Sequence, residues 1–258
     1  MRWTQIAPPP GCGTGRPLHV RALTGRGTPP PGPPVVLLHG YGIGSSYLVP
    51  LAARLAAHGP VHVPELPGHG ASAHAPRPLD VEGLAAAAEA WMTANAIEDA
   101  VLVGHSLGCQ VAAEVAARRP DRVRALVLVG PTCDASGRRV RTQLLRALRG
   151  GAHERPSFAV WTARDYPRAG GAVLAGELRA MVAHRIERPL VRLRIPVRVI
   201  RGARDPIAPQ RWAERVARIA GAPPPIVVPR WGHAVHYDAP EAVADVVRAL
   251  ARTPAAAD

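Results

Sequence analysis

The sequence predicts an α/β protein: a mostly parallel sheet with helices on both faces and a helical insertion late in the chain. Three observations predict it. Short apolar runs rich in β-branched residues recur from Val35 onward, as in strands covered on both faces. Segments with helix starts and stops lie between them, so consecutive strands must be joined by right-handed crossovers. The alternation then breaks between about Asp134 and Pro189, where helix-like pieces follow one another with no strand between. A chain of 258 residues suits one such domain, or a smaller one carrying an insertion.

The elements follow in order. The first 34 residues are rich in Pro and Gly. Residues 8–10 and 29–34 read as polyproline-like or turn segments, because proline fixes φ and removes a donor. Residues 18–23 (LHVRAL) alternate like a short edge strand. Strands are then expected at 35–38, 61–66, 100–103, 125–129, 197–200 and 225–228. Helices are expected at 47–58, 80–94, 107–119, 209–220 and 239–251. Asp80 is a natural N-cap with Glu82 in the first turn; Pro120 stops the third helix, Gly221 follows the fourth and Pro240 opens the last. The insertion carries helix-like pieces at 140–148 and 172–188. Residues 1–134 and 191–258 therefore read as the sheet domain and 135–190 as a helical cap, or lid.

Composition excludes several classes. The net charge is +13, from 32 basic and 19 acidic residues, and every basic residue is Arg. With one Phe and no basic block interleaved with stacking aromatics, this reads as a compositional bias rather than a nucleic-acid surface. No apolar run approaches a membrane span and the N-terminus lacks the apolar core of a secretory signal, which predicts a soluble cytoplasmic protein. Cys12, Cys109 and Cys133 form no disulfide framework; the latter two read as small packing residues. The eleven histidines show no metal-binding spacing, and Gly11-x-Gly-x-Gly15 follows no strand. No metal and no cofactor are expected.

The strongest motif is Gly104-His105-Ser106-Leu107-Gly108, between an expected strand and an expected helix. That is the context a G-x-S-x-G turn requires. The serine must stand on a strained turn, and side chains two places either side would collide. The helix N-terminus then points the N–H of Leu107 to where negative charge would develop. A serine hydroxyl needs a base, and the base needs an orienting acid. Those partners belong on loops at the carboxyl ends of later strands. Asp205 and His233 both stand there, giving the chain order Ser106, Asp205, His233. His236 is a rival base, expected instead to be a helix-proximal or surface residue, and Asp134 is a rival acid.

With these motifs the chain resembles the α/β-hydrolase superfamily, and the resemblance spans most residues from Val35 to Leu250, the cap excepted. Val-Val-Leu-Leu-His39-Gly40 is similar to the family's oxyanion-hole strand and loop, and Glu65-Leu-Pro-Gly68-His69-Gly70-Ala-Ser72 to the loop after its next strand. Gly202-x-x-Asp205-x-x-x-Pro209 and Gly232-His233 match the acid and histidine loops. Cys109 departs from the second glycine that many relatives carry after the serine turn, which predicts tighter helix–strand packing.

The resemblance implies an α/β-hydrolase fold with Ser106 as nucleophile, His233 as base then acid, Asp205 as its orienting partner, and the N–H groups of Tyr41 and Leu107 as oxyanion hole. It excludes the epoxide- and carbon–halogen-cleaving members, which carry Asp at the nucleophile position. His39, Gly40, Trp161 and Tyr166 are candidates for the substrate pocket. His39 and His69 also read as loop organisers, and Trp161, Tyr166 and Leu174 also as cap core. The implied activity is hydrolysis of a carboxylic ester or related acyl bond (thioester, lactone, or a carbon–carbon bond beside a ketone) through an acyl-enzyme on Ser106, as in a carboxylesterase. Alternatives are an acyltransferase on the same triad, or a lyase or cofactor-free oxygenase using the His–Asp pair. The expected partner is a small-molecule acyl substrate, with no nucleic acid and no membrane. From Ala135 to Arg194 there are 13 Arg against four acidic residues, Glu154, Asp165, Glu177 and Glu187. Either this excess receives an anionic or carrier-bound substrate, or it covers solvent-facing helix surface.

Overall fold

The computed structural model describes residues 30–253 in full and, before them, the backbone of two strands. Among the described residues one sheet contains β1 (Arg2–Ile6), β2 (Leu18–Thr24), β3 (Val35–Leu38), β4 (Val61–Pro64), β5 (Ala100–His105), β6 (Val123–Val129), β7 (Val197–Gly202) and β8 (Ile226–Val228). The strand order is β1-β2-β4-β3-β5-β6-β7-β8. β1, β2 and β4 pair antiparallel, and the six strands from β4 to β8 run parallel. Two N-terminal expectations change. Residues 18–23 are not an edge strand, because β1 pairs along the outer side of β2. β1 itself (RWTQI) was not expected: five residues carry too little pattern, and pairing with β2 decides their state. Cys12, Gly11–Gly15 and residues 8–10 lie outside the described residues.

Helices α1 (Val49–Leu55), α2 (Val81–Ala94), α3 (Leu107–Arg118), α7 (Gln210–Ile219) and α9 (Pro240–Arg252) connect or follow the strands. Asp80 caps α2, its side chain accepting from Gly83 N at 2.7 Å. The helix expected at 47–58 begins instead as a 3-10 turn at Ser45–Leu48 and becomes α1 only at Val49, with Pro50 in its first turn. Between the last parallel crossovers lie α4 (Val140–Gly151), α5 (Pro156–Ala183) and α6 (Glu187–Leu190), all between β6 and β7. α5 starts well before the expected 172 and ends before the expected 188. Pro156 opens it, and the stretch before 172 passes through Pro167 and a break at Gly170 (φ 79°), which hid its helical character.

The strands alternate between two cores. Val36, Leu38, Leu102, Leu126, Leu128, Val197 and Val199 face α2, α3 and α7. Val35, Leu37, Val101, Val103, Val127, Val129 and Ile200 face α1 and α9. The central strands β3, β5 and β6 thus bury both faces, which is why their sequences are largely apolar runs and why β5 is rigid enough to carry a site at its end.

Candidate active site

The site grows from the carboxyl ends of β5, β7 and β8. Ser106, directly after β5, has φ 56° and ψ −117°, a strained conformation costing about 1–3 kcal/mol that lifts the side chain off the strand. The turn closes only between glycines. A Cβ on Gly104 would overlap Gly108's carbonyl oxygen, and one on Gly108 would overlap Leu38's. Cys109 fits the remaining space: it is fully buried, and its thiol donates to Gly104 O at 3.0 Å. Burial pushes that thiol's pKa up, so it stays protonated. Leu107 opens α3, so its N–H is one of the first-turn donors without an acceptor in the helix.

His233 follows β8. Its Nδ1–H donates to Asp205 Oδ2 at 2.8 Å, and its Nε2 is buried without a hydrogen-bond partner. Burial would lower the pKa of His233, but the charge and hydrogen bond of Asp205, joined by the charge of Glu154, outweigh it and raise it. Burial would likewise raise that of Asp205. The charge and hydrogen bond of His233, with the N–H groups of Ala208 and Ile207, hold it down instead. Those amides donate to Asp205 Oδ1 at 3.0 and 2.8 Å. Arg201, at the end of β7, braces the turn by donating to Asp205 O at 3.0 Å and Ala208 O at 2.9 Å. Asp134 is engaged elsewhere, accepting from Arg146 at 2.9 Å and Ser136 Oγ at 2.7 Å. Ser106 and His233 make no hydrogen bond to each other among the described residues; free enzymes often tighten this contact only with substrate.

A buried chain of hydrogen bonds joins three loops of the site. Gly40 N–H donates to Tyr47 Oη at 2.7 Å, Tyr47 Oη lies 2.9 Å from His105 Nδ1, and His105 Nε2 lies 3.3 Å from His233 O. The arrangement assigns the proton of His105 to Nε2. His39 uses both ring nitrogens on backbone: Nε2 accepts from Leu66 N at 2.9 Å, and Nδ1 donates to Gly40 O at 3.0 Å. Burial and the neighbouring His69 lower its pKa to about 3. His39 is thus a loop organiser with no ring nitrogen left for a substrate. His69 organises too, its Nε2 3.0 Å from Glu177.

The other sequence candidates divide. Tyr166 packs edge-on to Tyr41 (5.7 Å between centroids), and with Leu174 it closes over Gly42. Trp161 lies apart, its Nε1 donating to Tyr237 at 3.3 Å beneath the Arg164 guanidinium. His236 is no surface residue. In α8 (Val235–Asp238) it is fully buried, its ring centroid 4.0 Å from that of His105, and burial lowers its pKa to about 3. Four residues escaped sequence reasoning. Tyr47 and His105 carry no motif signal outside the turn itself. Gly130 (φ 58°), after β6, leaves room for the imidazole: a Cβ there would lie 2.8 Å from His233 Nδ1. Glu154, in the loop between α4 and α5, accepts from the backbone N–H of His233 and from that of Ala234 at 3.0 Å.

One group of described residues brings metal-type ligands together away from this site: Glu82, Glu114 and His184 offer atoms within 4.8 Å of one another. His184 Nε2 already pairs with Glu114 at 2.8 Å and Arg118 faces the same carboxylate at 3.7 Å, so the group reads as an ion-pair network. It joins α2, α3 and the end of α5, a spacing no sequence motif displays.

The model of the family described as "Alpha/beta hydrolase family" matches residues 35–246. The chain belongs to this family. Within the alpha/beta hydrolases it is similar to the pimeloyl-[acyl-carrier protein] methyl ester esterase of Xanthomonas campestris pv. campestris (strain B100), at 32% identity over 84% of this chain and 94% of that one. A protein of the same name from Chromobacterium violaceum is 42% identical over a shorter stretch, 38% of this chain and 37% of that one. Among solved structures, a thermophilic esterase from Thermogutta terrifontis shares the alpha/beta hydrolase fold with a TM-score of 0.78, at 22% identity over 96% of this chain and 97% of that one. The protein is therefore an alpha/beta hydrolase-type enzyme. Among the described residues no helix is long and apolar enough to cross a membrane.

Proposed function

We propose that this alpha/beta hydrolase cleaves carboxylic esters of acyl chains through an acyl-enzyme on Ser106. The observation that carries the reading is the His233–Asp205 pair, at 2.8 Å, with the opposite ring nitrogen buried and unpartnered and the ring 4.7 Å from that of His105 in the serine turn. In this reading Ser106 Oγ attacks the carbonyl carbon while His233 Nε2 takes its proton. The oxyanion is met by the N–H groups of Leu107 and Tyr41; Gly40's own N–H is spent on Tyr47. The imidazolium returns the proton to the departing alkoxide. Water then repeats the sequence, releasing the acid and restoring Ser106.

Residues 135–190 act as the cap, and the substrate's acyl chain is carried on an acidic partner. The support is α4, which is built inside out. Gln143 and Gly150 face inward, whereas Leu144, Leu145 and Leu148 are 48%, 53% and 77% exposed. Val140, Leu144 and Leu148 recur every fourth residue, one helical stripe, with exposed Arg141 and Arg149 beside it. An apolar stripe edged by guanidinium groups suits an acidic protein surface, and a relative matched over 94% of its length is named for an ester borne on acyl-carrier protein.

The reading is tested by treating the protein with a fluorophosphonate and locating the adduct by mass spectrometry. Labelling at Ser106, with labelling and ester hydrolysis both lost in Ser106→Ala, is expected. An active but unlabelled enzyme would favour chemistry by the His–Asp pair alone. Product transfer to added alcohol in place of water would favour an acyltransferase.

A further inference from the structure

The segment 135–190 carries four carboxylates among many arginines, and three of them are used to grip the sheet domain. Asp165 on α5 accepts from Gly44 N at 3.0 Å, in the loop after β3. Glu177, also on α5, pairs at 3.0 Å with His69 in the loop after β4. Glu154 accepts from His233 N and Ala234 N in the loop after β8. Each clasp meets a different loop at the carboxyl edge of the sheet. Glu154 differs from the other two in what it holds, because its partner amide belongs to the candidate base itself.

We propose that Glu154 is a positioning residue for His233. Its carboxylate fixes the backbone from which the imidazole is presented, so that the seating of helices α4 and α5 sets the reactivity of the serine turn. The inference rests on the reading of His233 as the base. Packing supports it, since a Cβ on Gly232 would overlap Glu154 Oε1 and the chain there lies flat against the carboxylate. Electrostatics support it as well. Burial, then the carboxyl of Asp238, raise the pKa of Glu154 to about 7 against the charge of His233 and the N–H of Ala234. Arg155 faces the Asp238 carboxylate at 3.6 Å on the far side and donates to the backbone carbonyl of Asp238 at 3.0 Å. A buried acid held against desolvation and a second acid serves a geometric purpose that a surface contact would not need. Displacing a base by about 1 Å can cost on the order of 100-fold.

The test compares Glu154→Gln and Glu154→Ala with Asp165→Ala, which breaks a clasp that does not touch the histidine loop. The readouts are the second-order rate of fluorophosphonate labelling at Ser106, kcat and KM on a short neutral ester, and Tm. A 10- to 100-fold loss of kcat and labelling rate is expected for Glu154→Ala, with KM within about twofold. Glu154→Gln should fall between it and the wild type, because its amide oxygen still accepts one N–H. Asp165→Ala should lower Tm with labelling within about threefold of wild type. If both clasps change Tm and labelling alike, Glu154 merely docks the insertion and the inference fails. Adducts elsewhere than Ser106 would instead overturn the reading of the base and nucleophile. Glu154→Gln is isosteric and decides the matter if the alanine variant does not fold.

Discussion

At the scale of single residues, the site is a set of groups each held in a state it would not choose alone. Ser106 is held at φ 56°, and His233 and Asp205 are both buried yet each favours the other's charge. Ser106→Ala should lower kcat by about 10⁶-fold, read on a chromogenic ester. Asp205→Asn should lower kcat by about 10⁴-fold, because the amide leaves the imidazole in the wrong tautomer. It should also move the acid limb of the pH–rate profile. Asp205 raises the pKa of His233, and the base works unprotonated, so removing the charge shifts that limb to lower pH. A limb that stays in place or moves upward would show that another group governs it. The serine turn, Asp205 and His233 were legible because each follows an apolar run at a fixed offset. Glu154 was not, because its signal is a contact with a backbone amide 79 residues away.

Elements divide by how local their causes are. α2 is written in its own sequence: Asp80 accepts from Gly83 N at 2.7 Å and Glu82 stands in the first turn. Asp80→Ala should cost about 1 kcal/mol in urea unfolding with kcat unchanged. The central parallel strands β3, β5 and β6 are also locally legible, since burial on both faces makes them largely apolar. α5 was read only in part, because Pro167 and Gly170 argue against a helix that its packing sustains. α4 was found, but the outward direction of its leucines was not, since periodicity fixes which residues share a face and not what covers it. If that face meets an acidic carrier, Leu148→Ser with Arg149→Glu should lower kcat/KM on a carrier-borne ester at least tenfold. A free ester should be unaffected, and stability should stay within about 0.5 kcal/mol per exposed substitution. Equal losses on both substrates would dissociate α4 from carrier recognition.

The whole molecule buries an unusual cluster of neutral imidazoles. His39 and His236 are lowered to about 3 by burial, His39 by its neighbour His69 as well. His105 is lowered by burial and by His236 and His233 beside it. The unfolded chain protonates all three near pH 6.5 and the native chain does not, so they make stability fall as pH drops below about 6.5. Each contributes a slope of about 1.4 kcal/mol per pH unit. His69 and His233, whose pKa values are raised, act in the opposite direction: their stabilisation is complete in acid and fades as pH rises through the raised values. His236→Phe should therefore reduce the loss of unfolding free energy between pH 8 and pH 5 by about 2 kcal/mol. Equal losses in variant and wild type would mean that His236 takes up no proton on unfolding.

The sequence alone determined the α/β class and the parallel run of strands, and it singled out Ser106, Asp205 and His233 as the residues that follow three of those strands. Each of these follows from a local rule, periodicity or turn chemistry, that operates over a few residues. Tertiary structure alone decided that β1 extends the sheet, that His236 is buried against His105, that Gly130 makes room for the imidazole, and that three of the four acidic residues in the basic segment 135–190 turn inward onto three loops. Those outcomes depend on which distant surfaces meet and what desolvation then demands of the charges between them, and no window of sequence contains both partners.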